Sequence, residues 1–360
     1  MSEFNIEEIS TNQEIIQLAR NNLDQGPWDY LVGGTESETT MRRNRLSFDK
    51  LAFRPRVLVD TSNIDPSSEF LNHKTRIPVI LAPIGSQEHF TQNGAVAATN
   101  AANTFNVYDV ISSVSEPDLE TIAKSSNNPK VFQLYIHGDA KWTETMVKRA
   151  VKSGYNALCI TVDTPRLSRR ERPMISKFNP RSRRDPLNPI FSASVTWDTL
   201  DIINEMSDLP LIVKGIATGE DAEIAIEHKA SVIWVSNHGG RQLDFGQGTM
   251  DMLPDIAKAV NKKAEIVLDG GIQRGSDIAK AIALGADNIA IGKLQCWGLA
   301  AAGETGLVRV LEILEEEYIS ALGFLGITST KELNASHVCK SDPVNLPHEM
   351  SSFVNMKRLT

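Results

Sequence analysis

The chain has 360 residues, which at roughly 100–200 residues per domain allows one large domain or two ordinary ones. With 41% hydrophobic, 23% charged and 6% aromatic residues, it has the composition of a soluble globular protein rather than a disordered or fibrous one. Thirty-seven basic against 45 acidic residues give a net charge of −8, which argues against a nucleic-acid partner but leaves room for a positive pocket that binds a small anion.

The first nine residues carry three glutamates and neither a basic run nor an apolar core, so no secretory or transit signal is expected there. Residues 5–50 read as largely helical, with Ile15, Leu18 and Ala19 at helical spacing and Gly33-Gly34 as a break. They are expected to belong to an N-terminal helical cap over 1–75. After Pro78 come eight short apolar runs, at 79–82, 107–111, 131–134, 157–161, 211–213, 232–235, 266–268 and 288–291. Amphipathic helix candidates lie between most of them, at 140–152, 220–228, 250–260 and 276–284. Apolar runs that alternate with helices predict a parallel sheet covered on both faces, and eight repeats predict a closed (β/α)8 TIM barrel over 76–330. A tail, 331–360, completes one domain spanning 1–360. The main irregularity is 171–194, rich in proline and arginine, which reads either as a solvated excursion or as a mobile cover over the active face. Cys159, Cys296 and Cys339 are odd in number and widely spaced, with no metal-ligand or disulfide pattern. No run approaches the roughly 20 apolar residues of a membrane span, and the last four residues do not match the peroxisomal form, so a cytoplasmic protein without a metal is expected.

A barrel places its chemistry at the carboxyl ends of its strands. In order, the residues there are Pro83-Ile84-Gly85, Ser112-Ser113, Gln133 with Tyr135, Thr161 with Asp163, Lys214-Gly215, Ser236 to Arg241, Asp269-Gly270-Gly271 and Gly292-Lys293. The glycines after the seventh and eighth runs suit close approach to a phosphate. Lys214 ends a buried run, where an ammonium needs an anionic or polar partner. A Schiff base, a phosphate clamp and a positive charge facing an electron-accepting ring compete, and the neutral hydrogen-bonding Ser112, Gln133, Thr161 and Ser236 favour the third. His238, flanked by glycine and three residues before Arg241, suits a general base beside a carboxylate anchor.

These residues, with Trp28-Asp29-Tyr30, residues 53–58, Phe132-Gln133-Leu134-Tyr135, Thr161 to Arg166 with Arg169-Arg170, Ile212 to Gly215 and Asp269-Gly270-Gly271, stand in an order that resembles the FMN-dependent α-hydroxy acid oxidases and dehydrogenases. The resemblance runs from about Trp28 to His337 and implies the same barrel, FMN as cofactor, and oxidation of an L-2-hydroxy acid to the 2-oxo acid. It implies that His238 is the base, with Asp163 supporting the imidazolium. Arg241 and Arg170 would bind the substrate carboxylate, and Tyr30 and Tyr135 the carboxylate or reacting hydroxyl. Lys214 would sit beside the flavin ring, Ser112, Gln133, Thr161 and Ser236 would contact it, and Pro83, Ile84 and Gly85 would complete that wall. Asp269 would meet the ribityl chain, with Gly270, Gly271, Gln273, Gly292 and Lys293 toward the phosphate. It also implies a homo-oligomer, often a tetramer.

The sequence departs from the family at several points. Gln273 and Lys293 stand where arginine is usual, which predicts weaker phosphate capture unless the adjacent Arg274 compensates. Val114 stands for a tryptophan of glycolate oxidase-like members, and Gly85 for a frequent alanine, so the substrate pocket is expected to take a larger, aromatic or long-chain 2-hydroxy acid rather than glycolate. The 171–194 stretch lacks the apolar character of membrane-bound relatives. An FMN-containing barrel isomerase is the competing enzyme class, disfavoured by the joint presence of His238, Arg241, Arg170 and Tyr30. A weakly flavin-binding, non-catalytic relative is the other alternative.

Overall fold

The protein is described by a computed structural model that covers residues 5–180, 189–354 and 356. A 3-10 turn, Ile6–Glu8, precedes helices α1 (Asn12–Asn22), α2 (Gln25–Val32) and α3 (Thr39–Asp49). Thr11 starts α1 by accepting a hydrogen bond from the Glu14 amide, and Ile15, Ile16 and Ala19 turn one face inward. Three short strands come next, β1 (Leu51–Phe53), β2 (Ser68–Phe70) and β3 (His73–Thr75). The barrel strands are β4 (Val79–Leu81), β5 (Tyr108–Ser112), β6 (Lys130–Leu134), β7 (Ala157–Thr161), β8 (Leu211–Ile216), β9 (Val232–Val235), β10 (Glu265–Asp269) and β11 (Asn288–Ile291). β12 (Val338–Lys340) pairs antiparallel with β1 and so ties the tail to the N-terminal part of the chain. The interleaved helices are α4 (Gly94–Phe105), α5 (Leu119–Lys124), α6 (Ala140–Lys152), α7 (Glu171–Ile175), α8 (Pro189–Ala193), α9 (Trp197–Met206), α10 (Gly219–Glu227), α11 (Thr249–Val260), α12 (Gly275–Ala283) and α13 (Lys293–Leu325). α13 breaks at Ala302 and Gly303, whose dihedrals are not helical.

β4 to β11 close into a barrel in chain order, every neighbouring pair parallel. All eight expected runs are strands, with ends displaced by at most a few residues. Both faces of each strand are buried, which is why the runs are continuously apolar rather than alternating.

The pleat then decides which residues face the lumen. Ile80, Ala82, Tyr108, Val110, Val131, Ala157, Cys159, Ile212, Val232, Trp234, Val267 and Ala290 form an inner cluster, separate from the core between strands and helices. Phe70 joins it and meets Tyr108 edge-on at 4.9 Å, so the β2–β3 hairpin plugs the amino end of the barrel. Two residues beyond the last inner residue of each strand, at the carboxyl end, come Ile84, Ser112, Gln133, Thr161, Lys214, Ser236, Asp269 and Gly292. They form the uppermost inward-facing layer.

The 171–194 stretch comprises α7, α8 and the chain between them, of which 181–188 lie outside the described residues. Its described part leaves residues such as Ile175 and Ile190 exposed and also makes contacts with the cap. Arg172 in α7 donates to both carboxylate oxygens of Glu38 at 2.7 and 2.6 Å, and Phe178 packs on Tyr30 with ring centroids 6.0 Å apart. Ser192 of α8 reaches the cleft at the barrel mouth.

Candidate active site

A deep cleft opens at the carboxyl ends of the barrel strands, with about 1700 Å³ of space between its walls, part of it continuous with solvent. Tyr30, Tyr135, Arg170, His238 and Arg241 line one part of it. Pro83, Ile84 and Gly85 form a wall, and Lys214, Asp269, Gly270, Gly271, Gln273, Gly292 and Lys293 line the remainder. Asp163 stands behind His238. Ser112, Gln133, Thr161 and Ser236 are buried at the same strand ends.

His238 lies just after β9 in the left-handed region, φ 59°, a conformation that costs a non-glycine residue about 1–2 kcal/mol. Two contacts hold it there. Its amide donates to Ser236 Oγ at 2.9 Å, and its Nδ1 lies 3.0 Å from Asp163 Oδ1. Burial lowers the imidazole pKa below its ordinary value, Asp163 opposes that shift, and Lys214 and Arg170 add to it. The ring is therefore neutral at pH 7 and able to accept a proton at Nε2. For Asp163 burial acts in the opposite sense, but His238 and Lys214 outweigh it and hold the carboxyl below the usual range. Gly215 makes this pairing fit: its φ is 115°, and a Cβ there would lie 2.7 Å from the Asp163 Cβ.

Lys214 donates to Ser236 Oγ and to Asp269 Oδ2, both at 2.8 Å. Burial opposes its charge, yet Asp269 and Asp163 raise its pKa overall, so the ammonium persists. Asp269 also accepts from Trp234 Nε1 at 3.0 Å and from Ser236 Oγ at 2.7 Å. The result is a charged, rigid floor.

Arg241 Nη1 donates to the carbonyls of Tyr30, Leu31 and Gly33 at 2.7, 3.3 and 3.2 Å, anchoring it at the negative end of α2. A guanidinium has five N–H donors, so this anchor does not exhaust it. Arg170 donates to Ser168 Oγ, the Arg241 carbonyl and Gln242 Oε1. Burial, then Asp163, pushes the Tyr135 phenol up, so it remains a hydrogen-bond donor at neutral pH.

At the far end of the cleft the Arg274 guanidinium pairs with Glu317 of α13 at 3.1 Å. Gln273 bonds to the C-terminal segment, and Lys293 Nζ donates to the Val32 carbonyl at 2.6 Å. Gly271 is needed less for a ligand than for α3, since a Cβ would meet the Asn44 backbone at 2.9 Å. At Gly292 a Cβ would meet only Ile84 Cδ1, at 3.6 Å, so the cleft approaches the backbone there. Sequence reasoning missed His137, Trp297, Arg45 and Glu349, all of which line the cleft. None sits beside a strand-end motif except His137, which stacks on Tyr135 with centroids 5.8 Å apart.

Residues 19–340 match the family model described as FMN-dependent dehydrogenase. The chain is 38% identical to an L-lactate oxidase of a Nostoc species, over 90% of this chain and 96% of that protein. It is 33% identical to glycolate oxidase of Spinacia oleracea, over 92% and 96%. The crystal structure of a mandelate oxidase superposes with a TM-score of 0.87 at 32% identity, covering 94% of this chain and all of the other.

The residues present fit the cofactor these names imply. Both amide atoms of Gln133 and the hydroxyl of Thr161 are buried without a hydrogen-bond partner among the described residues, at the carboxyl end of the barrel. Buried polar groups are rarely left so unless a ligand completes them. A planar ring with several donors and acceptors beside the Lys214 charge answers that need. The chain belongs to the FMN-dependent dehydrogenase family, takes FMN as its cofactor, and is an oxidoreductase of the 2-hydroxy acid oxidase type.

Proposed function

We propose that this chain oxidises an L-2-hydroxy acid with an apolar side chain larger than that of glycolate, giving the 2-oxo acid, with His238 as the base. The observation that carries this is the His238–Asp163 pair, 3.0 Å apart, opening on a cleft that also presents Arg241 and Arg170. FMN, when bound, accepts the two electrons that leave the substrate. Ser112, Gln133, Thr161, Lys214 and Ser236 would hold its ring, with Pro83, Ile84 and Gly85 beside it. Asp269 would take the ribityl chain, and Gly270, Gly271, Gly292 and Lys293 the phosphate end. Arg241 and Arg170 grip the substrate carboxylate, and Tyr30 and Tyr135 orient the carboxylate and hydroxyl. His238 then removes a substrate proton at Nε2, and Asp163 stabilises the imidazolium.

The preference for a larger substrate rests on Gly85 and Val114, both small and both lining the cleft, with Phe90, Pro165 and Leu167 adding apolar surface. Anaerobic mixing of the FMN-loaded enzyme with an L-2-hydroxy acid panel tests both points by bleaching of the flavin absorbance. Mandelate and medium-chain acids should bleach it faster than glycolate. No bleaching by any of them would overturn the activity, and fastest bleaching by glycolate would overturn the preference.

The enzyme also self-associates, in this reading, through the segment after β1. Val57 and Leu58 are 79% and 104% exposed, and Leu58 is held at φ 60°. The segment lies against the end of α13, which exposes Phe324. Bulky apolar residues displayed in a strained conformation suit a subunit contact. A cytoplasmic setting without a nucleic-acid partner accords with the three free cysteines and the net charge of −8. Among the described residues no helix is long and apolar enough to cross a membrane.

A further inference from the structure

After β12 the chain returns to the barrel mouth and docks where β10 leaves it. Met350 and Phe353 are buried, Ser351 Oγ donates to Asp49 Oδ2 at 2.8 Å, and the Arg274 guanidinium lies 5.9 Å from the Phe353 ring. The centre of the dock is Gln273. Its Nε2 donates to the Glu349 carbonyl at 2.6 Å, while its Oε1 accepts from the Ser352 hydroxyl. An amide can donate and accept at once, whereas a guanidinium only donates. The glutamine that looks like a lost phosphate ligand therefore has a task of its own.

Docking puts Glu349 into the wall of the cleft, with Gly271, Gly292 and Lys293. Its carboxylate meets Arg172 Nη2 at 3.3 Å, and Arg172 is also held by Glu38. Two acids, Glu38 and Glu349, thus share Arg172. Of the other positive groups nearby, Arg241 is held by main-chain carbonyls, while Arg45 is paired with carboxylates. Arg45 is shared between Asp277 and Asp49, and the amides of Gln273 and Arg274 both donate to Asp277 Oδ2 at 3.0 Å. Burial, then Arg241, pushes the Lys293 ammonium down to about 7 despite Glu38 and Glu349.

We propose that Glu349 is a specificity-determining residue for the cofactor: its carboxylate shares the cleft wall with Lys293 at the phosphate end, opposes the phosphate of FMN, and narrows the margin by which FMN is bound over riboflavin. The inference rests on the proposed placement of the phosphate at Gly271, Gly292 and Lys293. A like charge in the same partly desolvated cleft as a phosphate is worth a measurable part of the binding energy.

The test is flavin affinity of the apoprotein, read from quenching of flavin fluorescence at low ionic strength, for FMN and riboflavin separately. Glu349→Gln and Glu349→Ala are each expected to tighten FMN by about tenfold while riboflavin changes less than about twofold. Lys293→Met is expected to weaken FMN selectively, and circular dichroism checks that each variant is folded. Selective tightening in both Glu349 variants supports the proposal. An FMN-to-riboflavin ratio lost in Lys293→Met but unchanged in the Glu349 variants would overturn it and leave the phosphate placement standing. A ratio that none of the three variants moves would overturn the placement and the proposal together.

Discussion

His238 occupies a backbone region that disfavours its side chain, and the same two contacts that hold it there also orient it. The Ser236 hydroxyl fixes the main chain and Asp163 fixes Nδ1. Because burial holds the imidazole pKa below its ordinary value and the base must be neutral to act, kcat/KM is expected to be flat near pH 7 and to fall as pH drops through that lowered pKa. Asp163→Asn removes the group that raises the histidine's pKa. Its acidic limb should move to lower pH while the plateau drops by roughly 10²-fold, which a pH–rate profile would separate. Gly215→Ala should act on the same pair from behind. A Cβ 2.7 Å from that of Asp163 must displace it, so steady-state kinetics should show a loss on the order of 10²-fold in kcat, with flavin content retained. His238, Asp163 and Lys214 were legible in the sequence because each lies within three residues of a strand end. The anchoring of Arg241 on the α2 carbonyls was not, because it joins residues some 210 positions apart and leaves no local pattern.

The elements were legible where one physical rule dominates. Residues 140–152 form α6 as expected, because Asp139 caps it by accepting from the Trp142 amide at 2.8 Å and apolar positions recur at helical spacing. The strands were equally plain, since burial on both faces forces continuous apolar runs. The 171–194 stretch was harder to read: what packs its described part is an ion pair with Glu38, supplied by a distant helix terminus. A comparable long-range tie joins α3 to the loop after His238. Asp244 accepts from the Thr40 amide at 2.8 Å and from Ser37 Oγ at 2.7 Å. Asp244→Ala should therefore cost about 1–3 kcal/mol and lower Tm by several °C in thermal melts. These bonds, opposed by burial, hold the Asp244 carboxyl down at about 2. Its contribution to stability should be complete above the ordinary carboxylate pKa and lost as pH falls through about 2.

At the scale of the whole molecule, the net charge of −8 coexists with a cleft that presents Arg170, Lys214 and Arg241. A chain of net negative charge thus gathers positive side chains at one cleft, which favours the approach of small anions. Self-association is open to the same kind of test. Leu58→Asp should shift the mass measured by light scattering toward the monomer, and an unchanged mass would remove the segment after β1 from the contact. The barrel's pleat has a consequence for how such an enzyme can change. Every second strand residue faces the lumen, so inserting or deleting one residue within a strand would exchange ligand-facing and helix-facing side chains beyond it. Variation in chain length is thereby confined to the loops and the tail. New substrates can be reached by swapping side chains such as those at positions 85 and 114, while new control elements can arrive only as additions that dock from outside.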